Sequence, residues 1–168
     1  WTDEYYNIQW VMHNYAPPER VEVETPPDAF IESTDKNLQV NLCPYIERNQ
    51  RTTFYIFFPP YSILYWNDVT QENHMEATLR EYAYIAETLL AYDNVRVFYF
   101  PNREEIVTDL NNYADYTHYH ARFNRFMTEC FADGTCEIES AEEMEQALEE
   151  TRDMVGRFDF EELFSVEY

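Results

Sequence analysis

The stretch that decides the fold is Thr52-Thr53-Phe54-Tyr55-Ile56-Phe57-Phe58-Pro59-Pro60, in the 168-residue chain. Its first seven residues are β-branched or aromatic and do not alternate with polar residues. Such a run predicts a strand that is covered on both faces, as in a parallel sheet. The two prolines end the strand abruptly, because proline has no N–H to donate to a neighbouring strand.

A second run of the same character lies at Val95–Phe100, after an amphipathic stretch at Glu72–Tyr92. Apolar residues recur on one side of that stretch with the period of a helix. A strand, a helix and a second strand form a crossover that returns the chain in parallel. We therefore predict an α/β fold in which strands 52–58 and 95–100 are adjacent and parallel in one sheet flanked by helices.

The rest of the chain divides into two parts. Residues 1–27 are rich in aromatic residues and prolines, and we expect them to drape over another part of the fold without a compact core of their own. Residues 28–168 hold the predicted α/β domain. Further helices are predicted at about 30–46, interrupted late by Pro44, at about 119–131, and at about 140–157, where Ser140-Ala-Glu-Glu forms a capping box.

The most informative polar motif is Asp115-Tyr116-Thr117-His118. An aspartate three residues before a histidine can hold one ring nitrogen and leave the other to take a proton from a hydroxyl, which is half of a catalytic triad. The alternative is that Asp115 caps the following helix and His118 packs in its first turn. No serine stands in a glycine-flanked turn that would expose a nucleophile. The serines are Ser33, Ser62, Ser140 and Ser165.

These stretches together resemble the SGNH/GDSL hydrolase family. Asp115 and His118 are similar to its last block, an Asp-x-x-His pair shortly before the C-terminal helix, and Phe54–Ser62 and Val95–Phe100 resemble two of its strands. The combination is similar to a branch from Gram-positive bacteria that is distantly related to the D-alanyl transfer protein of teichoic acid synthesis and to alginate acetyltransferases. The resemblance runs from about Phe30 to the C-terminus, and the blocks for the nucleophile and the oxyanion hole are missing.

The resemblance implies that this chain is the C-terminal portion of an SGNH-like (flavodoxin-like) fold. It implies serine esterase or O-acyltransferase chemistry on an ester of a cell-surface glycan or polymer, with His118 as general base and Asp115 as its orienting acid. The nucleophile would come from outside this chain, from the missing N-terminal half of the same domain. The location implied is extracellular or in the cell envelope.

Three residues after the first strand are expected to bind substrate, because ligands of α/β sheets lie beyond the carboxyl ends of strands. They are Tyr61, Ser62 and Trp66. Tyr61 and Trp66 are expected as walls of a cleft, with the core as the alternative. Ser62 could be a substitute nucleophile, but its large neighbours Tyr61 and Ile63 do not suit a strained elbow, which favours a turn or a helix start.

Charge excludes some partners. Thirty-three acids against eleven bases give a net charge of −22, which repels nucleic acids and anionic membranes. No apolar run is long enough to span a bilayer, and no signal peptide is recognised. No cofactor is predicted, and no metal site, because Asp115, His118 and His120 do not converge readily on one ion.

Two alternatives stay open in the sequence. Cys130 and Cys136 flank Phe-Ala-Asp-Gly-Thr, in which Gly134 can supply a turn, so they either form a short disulfide or remain, like Cys43, buried thiols. A second function is also consistent with the chain: a non-catalytic binding or structural module that keeps the SGNH-like fold and uses its aromatic, acidic surface.

Overall fold

A three-stranded open sheet lies at the centre of the computed structural model, which describes residues 2–168. Its strands, in spatial order, are β1 (Phe54–Phe58), β2 (Val95–Tyr99) and β3 (Glu137–Ile138). β1 and β2 are parallel, with Phe54 opposite Val95, as predicted. β2 and β3 are antiparallel, with Val97 opposite Ile138, so the sheet is mixed and not wholly parallel. β3 was not predicted, because its two residues carry too little pattern to mark a strand.

Helices flank the sheet. They are α1 (Ile8–Asn14), α2 (Ile31–Asn41), α3 (Cys43–Arg48), α4 (Ile63–Gln71), α5 (Met75–Leu89), α6 (Glu104–Val107), α7 (Arg122–Asp133), α8 (Ala141–Arg157) and α9 (Phe160–Ser165), with 3₁₀ turns at Asp3–Tyr5 and Leu110–Asn112. No helix within residues 2–168 is both long and apolar enough to cross a membrane.

The crossover between β1 and β2 contains two helices, α4 and α5. α4 begins directly after Ser62, whose side chain caps it, and Glu72 lies at its C-terminal end. Asn73 then takes a left-handed conformation, with φ of 59°, which breaks the helix before α5 starts. The predicted start of the crossover helix at Glu72 is therefore wrong, because local capping, which apolar periodicity does not report, sets the break.

The two faces of the sheet are covered unequally. α4, α5 and α8 pack on the face that carries Tyr99, where the main core lies. α7 covers the other face at Phe98 and reaches β1 mainly through Phe131, whose ring lies 5.7 Å from the rings of both Tyr55 and Phe57. Tyr55 and Phe57 stay 43% and 39% exposed. The prediction that the first strand is covered on both faces is therefore wrong, because β1 is the outer strand of the described sheet.

The aromatic N-terminal segment contacts the helix that follows β1 at two points. The Tyr15 hydroxyl accepts a hydrogen bond from the Asn67 side chain at 2.8 Å, and the Val21 N–H donates to the carbonyl of Gln71 at 2.7 Å. Both partners belong to α4. Tyr15 and Val21 therefore lie against the helix that follows β1, whereas Asp3, Tyr6 and Ile8 contact Asn111 and His120.

Candidate functional site

The loop that carries Asp115 and His118 lies against the turn that follows β1. Tyr113 and Tyr119 form an isolated antiparallel bridge that closes the base of this loop. The buried Tyr113 hydroxyl donates a hydrogen bond of 2.7 Å to the carbonyl of Pro60. The base of the loop is thereby held at the carboxyl end of β1.

Ser62 ties the two loops together at a second point. Its N–H and its Oγ both donate to the carbonyl of Tyr116, at 3.2 and 2.7 Å. The same Oγ accepts from the N–H of Leu64 at 3.3 Å and caps α4. The two loops expected to face one cleft are thus adjacent, and Ser62 serves the helix start and the loop contact.

Asp115 binds His118 with the geometry that the spacing predicts. Asp115 Oδ2 accepts a hydrogen bond from His118 Nδ1 at 2.7 Å, and Oδ1 accepts from the backbone N–H groups of Thr117 and His118 at 2.9 and 2.8 Å. The two side chains are 30% and 63% exposed, respectively. Because the carboxylate accepts from Nδ1, proton exchange with a molecule in the cleft would use Nε2.

Asp115 does not cap the helix that follows. α7 begins at Arg122, and its N-cap residue, Ala121, offers no side-chain hydrogen bond. Asp115 instead satisfies the backbone of its own turn, and His118 stays largely exposed. The structural alternative, in which this pair merely starts a helix and packs in it, is therefore contradicted.

The surroundings of Asp115 favour its ionised form. Partial burial by itself would raise its pKa, but the backbone N–H groups of Thr117 and His118 and the adjoining imidazole outweigh burial and lower the pKa below the ordinary aspartate value. Asp115 is therefore a carboxylate at neutral pH.

This lowered pKa predicts a pH-dependent stability difference between the wild-type chain and Asp115→Asn. A carboxyl group with a depressed folded-state pKa contributes stability that is fully present above the unfolded value of about 3.9 and is lost as the pH falls through the lower folded value. We expect the wild type to be more stable than the variant at pH 7, with the difference shrinking below about pH 4. Urea unfolding across this range measures it, and a constant difference would contradict the prediction.

An open cleft borders this loop. Its volume is about 520 Å³, and the residues that line it combine aromatic rings with polar side chains and include no lysine, arginine or carboxylate in the described part of the chain. They are Phe57, Pro59, Tyr61, Thr117, His118, Tyr119 and Asn124. The side chain of the histidine that Asp115 holds therefore faces a space large enough for a small organic group.

Of the three expected substrate-binding residues, the structure brings only Tyr61 to the cleft. Ser62 and Trp66 are 0% and 1% exposed, and Trp66 packs against the rings of Tyr65 and Tyr82. As placed, neither buried side chain can touch a molecule in the cleft. The reasons differ: Ser62 is the N-cap of α4 and its Oγ is engaged by Tyr116 and Leu64, whereas the phase of α4 turns Trp66 into the main core.

Sequence reasoning missed several residues of the cleft. Asn124 lies in the first turn of α7 and brings an amide group to the wall, and no local motif marks it. Phe57 was assigned to a strand, but only the outer position of β1 leaves its ring exposed. Tyr119 reaches the cleft because it pairs with Tyr113 across the loop. Of these three residues, only Tyr119 lies next to the histidine in the sequence.

A metal is not suggested at this site. Residues 2–168 contain no group of three or more histidine, cysteine or acidic side chains that could hold an ion. His120 lies two residues beyond His118, and its Nε2 contacts the carboxylate of Asp3 at 3.2 Å. Its Nδ1 accepts from the N–H of Arg122 at 3.0 Å. The two histidines thus have different partners.

No protein-family model matches the chain, and neither does any curated protein or any solved structure.

Proposed function

We propose that this chain carries the general base and the orienting acid of an SGNH-like serine ester hydrolase or O-acyltransferase that acts on an ester of a cell-surface glycan or polymer. The observation that carries the proposal is the 2.7 Å hydrogen bond between Asp115 and His118 beside an open cleft. His118 Nε2 takes the proton of the nucleophile and returns one to the leaving group, while Asp115 holds the tautomer and stabilises the imidazolium.

The nucleophile and the oxyanion donors belong, in this proposal, to polypeptide outside the 168 residues. None of the residues that line the cleft in the described part of the chain is a serine. Ser62 is buried and caps α4, and the other three serines form local contacts within or at the starts of helices. Those contacts are Ser33 to the carbonyl of Phe30, Ser140 to the N–H of Glu143, and Ser165 to the carbonyl of Glu162.

The outer edge of β1 is the place where such a segment can join. The pairing with β2 uses the backbone of Phe54 and Phe58, since Phe54 N–H donates to Asn94 and Phe58 C=O accepts from Phe100. Alternation along a strand turns the backbone groups of the intervening Tyr55 outward. A strand added parallel to β1 would end at the same edge as β1, beside the cleft, which is where a nucleophile must stand.

The cleft itself favours a formally neutral substrate group. Aromatic rings such as Phe57 and Tyr61 offer flat apolar faces that suit the C–H face of a sugar ring, and Asn124 offers an amide for hydroxyl groups. The net charge of −22 disfavours the approach of strongly anionic polymers. An acyl ester on a neutral or cationic glycan fits these properties.

The experiment uses the natural polypeptide that contains these residues, isolated with any subunit that co-purifies and treated with a fluorophosphonate, which labels activated serines. We expect label on a serine outside residues 1–168, retained in Ser62→Ala and lost in His118→Ala. The 168-residue chain alone should hydrolyse small acetyl esters at the background rate. Label on Ser62, or turnover by the chain alone that Ser62→Ala abolishes, would contradict the proposal.

A binding or structural module is the second candidate, and one observation favours it. Tyr55 and Phe57 form an exposed aromatic patch next to a cleft in which no serine is found among the described lining residues. The two functions differ in one result. Retention of the natural polypeptide on a glycan, with no serine labelling and no effect of His118→Ala, identifies the module.

A further inference from the structure

Cys130 and Cys136 are free thiols whose sulfur atoms lie 3.8 Å apart. Cys130 stands in the last turn of α7. Gly134 ends that helix in a left-handed conformation, with φ of 83°, and its N–H donates to the carbonyl of Cys130 at 2.9 Å. Cys136 is also left-handed, with φ of 67°. Two left-handed residues fold the chain back, which is why a spacing of six residues brings the thiols together.

The two thiols differ in access. Cys130 is 2% exposed and packs with Phe98, Phe100 and Met127 on the face that α7 covers. Cys136 is partly exposed and lines a cavity of about 240 Å³. Its backbone is fixed, because its carbonyl accepts from the N–H of Tyr99 on β2 at 3.0 Å. A small reagent can therefore reach Cys136 but not Cys130.

Arg103 gives this cavity an unusual cation. It lines the same cavity as Cys136, and its Nε is buried with no hydrogen-bond partner in the described part of the chain. The carboxylates of Glu137, Glu143 and Glu150 line the same cavity, so its charge does not single out Cys136. Position and access agree in making Cys136 the reactive member of the pair.

We propose that Cys130 and Cys136 form a reversible dithiol–disulfide pair that is oxidised by low-molecular-weight disulfides, with Cys136 reacting first and Cys130 resolving. The Cys136 thiolate attacks one sulfur of glutathione disulfide, forms a mixed disulfide and releases one glutathione thiolate. The Cys130 sulfur then attacks Cys136 Sγ and releases the second glutathione. Two protein thiols are oxidised, one disulfide is reduced to two thiols, and the protons of the cysteines pass to the two glutathione molecules.

The assigned order follows from chemistry as well as access. Burial raises the pKa of the Cys130 thiol to about 12, and Arg103 only partly opposes this rise. Cys130 therefore carries little thiolate at neutral pH and cannot begin the reaction. In the second step, the contact between Cys130 and Cys136 offsets the low thiolate fraction of Cys130, because that step is intramolecular. A thiol of high pKa is also a poor leaving group, so the closed disulfide should reopen slowly.

The test uses the reduced, folded 168-residue chain in glutathione redox buffers at about pH 8, near the ordinary cysteine pKa, with acid quenching, alkylation and peptide mass spectrometry. We expect a cross-link between Cys130 and Cys136 in the wild type and a persistent glutathione adduct at Cys136 in Cys130→Ser. In Cys136→Ser, loss of thiols should slow about tenfold or more, because only buried thiols remain. Cys43→Ser is the matched control and should behave as the wild type.

Three results would overturn the proposal: a cross-link that includes Cys43, no adduct at Cys136 in folded Cys130→Ser, or an adduct at Cys130 that forms at the wild-type rate in Cys136→Ser. Cys130 lies in the core, so Cys130→Ala is prepared in parallel and circular dichroism establishes which variant is folded. The outcome is then read from the folded variant. The chemistry of this pair does not depend on acyl transfer at the cleft, so the two proposals fail separately.

Discussion

We expect His118→Ala to lower the rate of acyl transfer by at least about 10³-fold in the natural polypeptide that carries the nucleophile. The substitution removes the imidazole that takes the nucleophile's proton, and none of the other residues lining the cleft in the described part of the chain is a histidine, lysine or carboxylate. Both kcat and kcat/KM should fall together, because the lost interaction acts in the transition state. Steady-state hydrolysis of an acetyl ester measures both constants.

The free energy of unfolding should hardly change in His118→Ala. The His118 side chain is 63% exposed, and an exposed contact of this kind with Asp115 is worth less than about 1 kcal/mol. His120→Ala is the matched control, since His120 lies on the same segment but contacts Asp3 and Arg122 and does not line the cleft. Equal losses of activity in both variants would show that the integrity of the loop, and not the imidazole of His118, determines the rate. The catalytic assignment of His118 would then be withdrawn.

Trp66→Ala should lower the free energy of unfolding by about 3–5 kcal/mol, the cost of removing a fully buried large aromatic side chain. Trp66 is 1% exposed and belongs to the main core. Its ring lies 5.3 Å from that of Tyr65 and 6.3 Å from that of Tyr82. Urea denaturation of the 168-residue chain measures the loss, and a fall in thermal midpoint should accompany it.

Tyr61→Ala is the matched variant, because the two aromatic residues lie five positions apart and were expected to have the same role. Tyr61 lines the cleft and contacts the Tyr65 ring at 4.9 Å. Its removal should cost about 1 kcal/mol and should weaken substrate binding instead. Similar stability losses in both variants would contradict the division of these residues between core and cleft.

The predictions that succeeded rest on local information. The composition of the runs Thr52–Phe58 and Val95–Phe100 predicted the two strands. The length of chain between them predicted that they pair in parallel. The bond between Asp115 and His118 followed from a spacing of three residues, which keeps two side chains within reach whatever the distant chain does.

The predictions that failed depended on where other elements lie. Whether Tyr55 is covered depends on α7, which is contributed by residues far along the chain and reaches β1 only at its margin. Trp66 was placed in a cleft because it follows a strand end, but the phase of α4 turns it into the core. No pattern within a few residues of either position records these facts.

The sequence by itself determined the two parallel strands, the bond between Asp115 and His118 and the acidity of the chain, because hydrophobic runs, side-chain reach and charge are properties of short segments or of composition. The tertiary structure decided the outer position of β1, the antiparallel addition of β3, the cleft around His118 and the contact of Cys130 with Cys136. The first three features arise from contacts between residues that are distant in the sequence. The contact between the cysteines depends on the left-handed backbone of Gly134 and Cys136, which the packed fold stabilises.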